Sequence, residues 1–355
     1  MKYRLPGEYE SQQATIFLFP YREDIWRNKA KPIQQLIVDM ANIVVKYEHV
    51  ILGVLPELKD YLLNNFKLDP NVELFEVKYN DAWPRDSVSS VVLSKKDAYM
   101  SSIKFNAYGD GLYFPWDDDA NLDKEFAKHL GLNIKEFPIT LEGGNMLPDG
   151  NGTLFAVKDS IFNPNRNPNM KFKDVEKLLK KATCSNKIVW INHGLLEDET
   201  GGHIDNLLAF ADENTLLLSW TDDKDDYQYD LVREVYDTIK KVKSQKTHKK
   251  FKIVKVPLPP MHIRTKEESA DIIEKDKSFG RTEGLHILET YINIVLANGV
   301  VIVPQYGIPD KDAEALEIMK QVFPNRDVYP LNGREASLGG GGFHCLSKHI
   351  SKIGE

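Results

Sequence analysis

The sequence has few cysteines and no long apolar run. Only two cysteines, Cys184 and Cys345, occur among the 355 residues, so a disulfide framework is excluded and no bridge between the two is expected. No apolar stretch reaches the length that crosses a bilayer, and the opening MKYRLPGEYE lacks the apolar core of a signal peptide. We therefore expect a cytoplasmic protein with free thiols and no membrane partner.

An excess of positive charge is also missing. The chain carries 46 lysines and arginines against 53 aspartates and glutamates, which gives a net charge of -7. This balance argues against a nucleic-acid partner and suits a cationic or neutral substrate. With 42% hydrophobic and 28% charged residues, the composition is that of a globular protein with enough apolar material for a core.

Motifs for metal and phosphate binding are absent as well. The chain has no Cys-x-x-Cys and no His-Glu-x-x-His, and the pair His203-x-Asp205 is a weak metal signal by itself. The glycine run Gly339–Gly342 is not followed by Gly-Lys-Ser/Thr, so it is not a phosphate-binding loop. Neither a metal site nor a nucleotide site is therefore expected.

Paired short strands are the main secondary-structure pattern. Four hairpins are predicted where two apolar or alternating runs flank a turn rich in Asn, Asp, Gly or Lys. Their strands are expected at 87–93 and 98–103, 146–147 and 153–157, 207–210 and 215–220, and 290–296 and 300–304. Helices are predicted at 31–47, 56–66, 122–130, 172–182, 229–242 and 312–322, and further strands at 15–19, 49–54 and 72–77.

A polar motif stands at the start of three of these hairpins. Asp86, Glu142 and His203 follow one another at intervals of 56 and 61 residues. A period of this length indicates repeated units of strands and a helix around a common centre, although sequence identity between the units is negligible. A plain α+β protein with several hairpins is the alternative. The segments 107–121 and 257–284 are predicted to be long functional loops.

The polar motifs contain residue types that suit chemistry on a guanidinium group. Asp86 and Asp205 could bind its N–H donors in pairs. His203 is a candidate general acid and base, and on a strand it would share a face with Asp205. Glu142 could hold a substrate nitrogen or orient the histidine. The alternative for the acids is that they cap turns, pair with surface cations such as Arg85, or lie exposed.

The glycine run near the end of the chain delivers the second cysteine. A thiolate at Cys345 would be a nucleophile if a cationic substrate or an imidazolium stabilised it. His344 is set aside as its partner, because on a strand the two neighbours would face opposite sides. A buried, inert thiol in a flexible loop is the alternative reading.

Taken in order, these motifs resemble the agmatine deiminase branch of the guanidino-group-modifying, or pentein, superfamily. The resemblance runs nearly from end to end of the chain. It is carried by Pro6–Glu10, Trp26-Arg27, Asn80–Asp86, Phe105–Ala107, Gly111–Asp117, Glu142–Gly144, Glu199–Asp205, Val303–Gly307 and the glycine-rich His344-Cys345.

This resemblance implies an α/β fold of the pentein type, a five-bladed α/β-propeller with pseudo-fivefold symmetry, formed by a single domain of residues 1–355. It also implies hydrolysis of agmatine to N-carbamoylputrescine and ammonia without a metal or organic cofactor, in a dimer or tetramer. By the same resemblance Cys345 is the nucleophile, His203 the general acid/base and Glu142 a supporting catalytic residue. Asp86 and Asp205 would bind the guanidinium, and Trp83 would line the channel beside the aliphatic stem of the substrate.

The chain departs from the family pattern at three places. Ser87-Val88-Ser89 stands where Gly-Pro is usual, Gly342-Phe343 where Asn-Ile is usual, and Gly201 where Asn or Asp is commoner. These departures affect the expected substrate choice more than the expected chemistry, because they flank the proposed residues without replacing them.

Several other functions remain open at this point. The enzyme could act on peptidyl-arginine, which needs an open cleft, or on free arginine, which needs a cation such as Arg281 or Lys104 for the α-carboxylate. An amidinotransferase would share the nucleophile but exclude water. A non-catalytic binding protein of the same fold would have lost Cys345 or His203, and this chain retains both.

Overall fold

The computed structural model describes residues 3–354, so Met1, Lys2 and Glu355, the ends of the expected 1–355 domain, lie outside the described residues. The helices are α1 (Lys31–Val44), α2 (Lys59–Asn65), α3 (Pro84–Ser87), α4 (Ala107–Asp110), α5 (Leu122–His129), α6 (Lys158–Ile161), α7 (Phe172–Thr183), α8 (Tyr229–Ile239), α9 (Lys266–Ser269), α10 (Pro309–Val322) and α11 (Arg334–Leu338).

The strands are short and numerous. They are β1 (Gln12–Leu18), β2 (His49–Val54), β3 (Glu73–Glu76), β4 (Val91–Leu93), β5 (Ala98–Lys104), β6 (Asn133–Thr140), β7 (Leu147–Pro148), β8 (Thr153–Val157), β9 (Lys187–Ile191), β10 (Leu208–Phe210), β11 (Thr215–Trp220), β12 (Lys252–Pro257), β13 (His262–Ile263), β14 (His286–Ile287), β15 (Val295–Ala297), β16 (Val300–Gln305), β17 (Asp327–Asn332) and β18 (Lys348–Ser351).

Five sheets of the described chain repeat one pattern. Each begins with an antiparallel pair and continues, after a helix, with a parallel strand. Since a parallel pair needs a crossover, α1, α5, α7, α8 and α10 serve as the connections. The sheets are β18-β1-β2-β3, β4-β5-β6, β7-β8-β9, β10-β11-β12 and β15-β16-β17, and β13 and β14 form a separate two-stranded ribbon.

The middle strands carry the core. Every residue of β8 and β11 is buried, as is expected of a strand covered on both faces. The helices bury one face each; Val175 and Leu179 of α7, for example, pack with Leu154 of β8. This arrangement explains why the middle strands read as continuous apolar runs and the helices as periodic ones.

All four predicted hairpins are confirmed as antiparallel pairs, and the strand predicted at 49–54 has those bounds. The outer strands β6, β9, β12 and β17 were not predicted. They are partly exposed, so polar residues interrupt the apolar signal; β17, Asp327–Asn332, has no fully buried residue.

Two expectations about local structure need correction. His203 and Asp205 do not lie on a strand, because Ile204–Asn206 forms a single 3-10 turn directly before β10. The two long loops contain short helices and contact each other, since the Phe279 amide donates to the Leu112 carbonyl at 2.9 Å.

The structure also bears on the cysteines and on membrane-spanning helices. Cys184 and Cys345 are both free. Within residues 3–354, no helix combines the length and the apolar character needed to cross a membrane.

Candidate active site

The fold brings the polar motifs together because each lies just before one strand of an antiparallel pair. Equivalent positions in repeated units face a common region, so side chains distant in sequence meet there. The residues in question are Asp86 before β4, Glu142 before β7, His203 and Asp205 before β10, Asn293 before β15 and Cys345 before β18.

Cys345 is buried and faces both carboxylate and amide groups. Its Sγ lies 3.7 Å from Asp205 Oδ2 and 3.5 Å from Asn293 Nδ2, which is oriented by Asn206 at 2.9 Å. Burial, together with the charges of Asp205 and Asp86, raises the pKa of the Cys345 thiol well above its ordinary value. Without a ligand the thiol is therefore protonated at neutral pH.

His203 is buried between two carboxylates. Its Nδ1 lies 4.0 Å from Asp86 Oδ1, and its Nε2 lies 3.5 Å from Glu142 Oε2. Burial alone would lower the pKa of His203, but the charges of Asp86 and Glu142 outweigh it and raise that pKa to about 9. The ring is thus an imidazolium at neutral pH and can give a proton to a leaving group.

Glu142 is completely buried and paired with Arg166. The Arg166 Nε donates to Glu142 Oε1 at 2.7 Å and to Oε2 at 3.0 Å. Burial would raise the pKa of Glu142, but the Arg166 guanidinium and His203 lower it below its ordinary value. The reading of Glu142 as an exposed turn acid is therefore wrong, and the side chain is an ionised partner of His203.

Asp86 is held by neutral donors. The Gly144 amide donates to Oδ1 at 2.6 Å, and the Tyr108 hydroxyl donates to Oδ2 at 2.8 Å. Burial, followed by repulsion from Asp205, raises the pKa of Asp86. No arginine or lysine of the described residues is bonded to this carboxylate, so a bound cation would stabilise its charge.

Asp205 uses its two oxygens differently. Oδ2 lies 2.8 Å from His344 Nδ1, whereas Oδ1 is buried without a hydrogen-bond partner in the described structure. A buried carboxylate oxygen without a partner costs free energy that a donor can recover. Oδ1 is therefore available to a ligand with N–H groups.

Gly144 permits this close approach of three functional side chains. A Cβ at this position would lie 2.6 Å from His203 Nδ1, 2.9 Å from Asp86 Oδ1 and 3.0 Å from Asp205 Oδ2. Glycine is therefore required here for steric reasons rather than for its backbone angles.

We expect Gly144→Ala to leave the fold intact and to lower kcat/KM by roughly 10²-fold, because it displaces His203 and Asp86 by a fraction of an ångström. Steady-state kinetics on guanidine substrates measures the effect. Gly280→Ala is the matched control, since the nearest atom to its added Cβ is 4.0 Å away. Equal activity of the two variants would show that the three side chains do not need this spacing.

Trp83 lies beside a narrow cavity that reaches Cys345. The indoles of Trp83 and Trp26 pack against each other with ring centroids 5.3 Å apart and a tilt of 35°, and both donate to the carboxylate of Asp81. This packing fixes the Trp83 ring at the cavity wall. The lining includes Ile25, Trp83, Asp86, Tyr108, Tyr113 and Cys345.

The glycine run forms the other wall of this cavity. Gly340 has φ of +97° and lies against Glu199 and Arg281, where a Cβ would be 2.4 Å from Glu199 Oε2. Only glycine takes such a conformation in so little space. The run is therefore a tightly packed element, contrary to the flexible loop that was one reading of the sequence.

Several residues that shape the site were missed at the level of sequence. Tyr108 binds Asp86 from a left-handed backbone conformation, with φ of +62°, which is unusual outside glycine and frequent at functional sites. Asn293 and Arg166 come from segments without a polar motif. His344 was set aside on the assumption of a strand, but Phe343–Leu346 is a turn and the ring reaches Asp205.

The histidine, cysteine and acidic side chains of the described chain do not form a cluster with the geometry of a metal site. In the part of the chain from residue 3 to residue 354, no three of them are grouped so that they could hold a metal ion. The cationic partners of Glu142, Asp86 and Asp205 are Arg166, His203 and His344.

Known proteins resemble this chain along nearly its whole length. The family model described as Porphyromonas-type peptidyl-arginine deiminase matches residues 4–350. The putative agmatine deiminase 2 of Listeria monocytogenes is 35% identical over 355 residues, covering 98% of this chain and 95% of the relative. The agmatine deiminase of Pseudomonas aeruginosa is 33% identical over 356 residues, covering 98% and 95%.

Solved structures agree with the sequence comparison. The agmatine deiminase of Enterococcus faecalis superposes with a TM-score of 0.93 at 28% identity, covering 99% of this chain and 96% of that chain. The class is therefore that of α/β proteins with the agmatine deiminase fold. The chain belongs to the Porphyromonas-type peptidyl-arginine deiminase family, and the resemblance to agmatine deiminases that its motifs predicted is confirmed.

Proposed function

We propose that this chain hydrolyses agmatine to N-carbamoylputrescine and ammonia through a covalent intermediate on Cys345. One observation carries the proposal: a buried thiol and an imidazolium lie beside Asp86 and Asp205, two carboxylates that lack an arginine or lysine partner in the described residues. The agmatine deiminases among the relatives, at 33% identity and above, support agmatine as the substrate.

Asp86 and Asp205 bind the guanidinium in this proposal. Its planar set of N–H donors suits carboxylates that converge from two directions. Asp205 Oδ1 is free to accept, and Asp86, whose pKa is raised by burial, gains a counter-charge. Trp83 packs against the aliphatic stem of the substrate. Glu142 holds His203 in its protonated form rather than contacting a metal or cofactor.

The reaction then proceeds in two covalent steps. The Cys345 thiolate attacks the central guanidinium carbon, and His203 gives its proton to the departing nitrogen, which leaves as ammonia. The resulting thiouronium is attacked by water, whose proton returns to His203. Collapse of that adduct breaks the C–S bond, forms the C=O of the ureido product and restores the thiolate. The hydroxyl proton passes to solvent, where it converts the released ammonia to ammonium.

The bound guanidinium activates the cysteine. A cation beside Sγ offsets the charges of Asp205 and Asp86, which raise the pKa of the free thiol. We expect the thiolate absorbance near 240 nm, taken as wild type minus Cys345→Ser, to develop only at alkaline pH in the free enzyme. A non-reacting guanidinium ligand should move this titration to lower pH. An unchanged titration with bound ligand would exclude activation by the substrate.

Agmatine fits the cavity better than arginine does. Arg281, the cation considered for an α-carboxylate, already donates to Glu199 Oε1 at 2.5 Å and to the Gly339 carbonyl at 2.8 Å. Its charge is therefore compensated by Glu199, so it is not free to bind an α-carboxylate. The hydrogen bond from the Phe279 amide to the Leu112 carbonyl joins the two long loops, which favours a small ligand over a peptide.

A five-bladed propeller is the architecture we propose for the five repeated sheets. The common pattern of an antiparallel pair followed by a parallel strand supports it, as does the position of each polar motif before a hairpin. A single domain of residues 1–355, a cytoplasmic location consistent with free thiols and a dimeric or tetrameric assembly complete the proposal.

Parallel incubation of the purified protein with agmatine, free arginine and an arginine peptide tests the function. Ammonia and the ureido product are measured for each substrate. We expect kcat/KM to be highest for agmatine. Efficient turnover of another guanidine without turnover of agmatine would assign a different deiminase activity, and binding of agmatine without ammonia release would indicate a non-catalytic protein.

A further inference from the structure

The imidazole of His344 connects the candidate site to a buried glutamate near the start of the chain. Its Nδ1 lies 2.8 Å from Asp205 Oδ2, and its Nε2 lies 2.8 Å from Glu8 Oε2. Both carboxylates are shielded from solvent, with side chains 5% and 13% exposed. An imidazole with a carboxylate on each nitrogen satisfies both only when it is protonated, because both nitrogens must donate.

Glu8 in turn ties this histidine to the segment that carries Asp86. The Arg85 Nη2 donates to Glu8 Oε1 at 2.8 Å, and the Arg85 Nε donates to the His344 carbonyl at 3.2 Å. One buried network therefore joins the segments of Asp86, Asp205 and Cys345.

We propose that His344 is a positioning residue, an imidazolium that fixes Asp205 Oδ2 and offsets its charge beside the Cys345 thiolate. The inference rests on the proposed deimination. With Oδ2 held in this way, Oδ1 is the oxygen left to meet the guanidinium, and it is the one without a partner. The Cys345 Sγ lies 3.7 Å from the same Oδ2, so an imidazolium bonded to that oxygen offsets its negative charge and stabilises the thiolate.

The charges around His344 determine its protonation. Burial and the Arg85 guanidinium would lower its pKa, but Glu8 and Asp205 outweigh them and raise it. The other titratable groups nearby are His349, whose pKa burial lowers to about 4, and Lys348, whose pKa burial lowers to about 7. Removing the charge of Glu8 should therefore lower the pKa of His344, since Arg85 remains.

Glu8→Gln removes the charge with little change of shape. Its amide oxygen can accept from Arg85, and its NH2 group then faces His344 Nε2, which can accept only when the ring is neutral. Above the lowered pKa of His344 the ring becomes neutral, and the charge of Asp205 is no longer offset. We expect the ratio of wild-type to variant kcat/KM on agmatine to be near one at about pH 6 and to rise at least ~10-fold by about pH 8. Glu10→Gln is the matched control, since Glu10 pairs with Arg4 at the surface.

Nitrogen-15 NMR of histidine-labelled protein measures the same charge without substrate. His344 should titrate at lower pH in Glu8→Gln than in the wild type. If the wild type converts no guanidine, the proposed function is wrong. The NMR titration still determines in that case whether His344 is protonated. A kcat/KM ratio that is constant across the pH range, despite a lowered His344 pKa, would overturn the positioning role.

His344→Gln keeps the proposal testable if Glu8→Gln does not fold. A glutamine can donate to Asp205 but carries no charge, so the Cys345 thiolate should form at higher pH than in the wild type. His193→Gln, at an exposed histidine paired with Asp159, is its control. Identical Cys345 titrations in His344→Gln and the wild type would overturn the claim that His344 offsets the charge of Asp205.

Discussion

Cys345→Ser should abolish deimination, with kcat reduced by at least roughly 10⁴-fold, because a serine hydroxyl in this site lacks a base to ionise it. The carboxylates and Trp83 remain in place, so the variant should still bind agmatine. Calorimetry with the unreacted substrate and a sensitive ammonia assay measure the two effects separately.

Cys184→Ser is the matched control for this substitution. Cys184 ends α7, where its Sγ lies 3.4 Å from the Tyr99 hydroxyl, and it has no contact with the candidate site. Its loss should leave turnover unchanged. Near-normal activity of Cys345→Ser would refute the covalent mechanism whatever the control shows.

Asp205→Asn should give the second largest effect. It removes one of the two charges that we propose bind the guanidinium and also leaves the His344 imidazole without one of its carboxylates. Loss of one partner from a buried charge pair costs about 3–5 kcal/mol, which is roughly 150- to 5,000-fold in kcat/KM. Steady-state kinetics with agmatine, combined with a binding measurement, determines whether the loss lies in binding.

Asp222→Asn serves as the control, because this carboxylate is 83% exposed and, within residues 3–354, is paired with Arg233 and Trp220 alone. An Asp205→Asn variant with wild-type KM and kcat would mean that the guanidinium does not lie between Asp86 and Asp205. The stability of the variant should be checked by thermal unfolding, since the substitution also disturbs a buried network.

The hairpins and middle strands could be predicted because their sequence signal is local. Turn residues such as Asn298-Gly299 and uninterrupted apolar runs mark them directly. The outer strands β6, β9, β12 and β17 could not be predicted, because they are partly exposed and their partners lie a helix away in the sequence. Pairing across that distance leaves little trace in local hydropathy.

The site residues that belong to polar motifs could be predicted from the sequence. Asp86, Glu142, His203 and Asp205 lie at the starts of hairpins, and Cys345 precedes β18, which pairs with β1. The repeat brings these residues to one region. Asn293 begins the remaining hairpin, and its position in the repeat was the signal that could have revealed it.

His344 shows the opposite case. Its exclusion depended on the assumption of a strand, whereas the chain turns at Phe343–Leu346 before β18 begins. In a turn, neighbouring side chains are not forced to opposite sides, so His344 and Cys345 both approach Asp205. The local backbone conformation after the glycine run, which sequence patterns do not predict, therefore brings His344 into the site.

Mass spectrometry of a single turnover tests the covalent mechanism most directly. Excess enzyme is mixed with agmatine, quenched with acid at successive times and digested. We expect the peptide that contains Cys345 to carry the mass of agmatine less ammonia early in the reaction and to lose it as N-carbamoylputrescine forms. Complete conversion of agmatine without any adduct on Cys345, at the same rate in wild type and Cys345→Ser, would contradict the account.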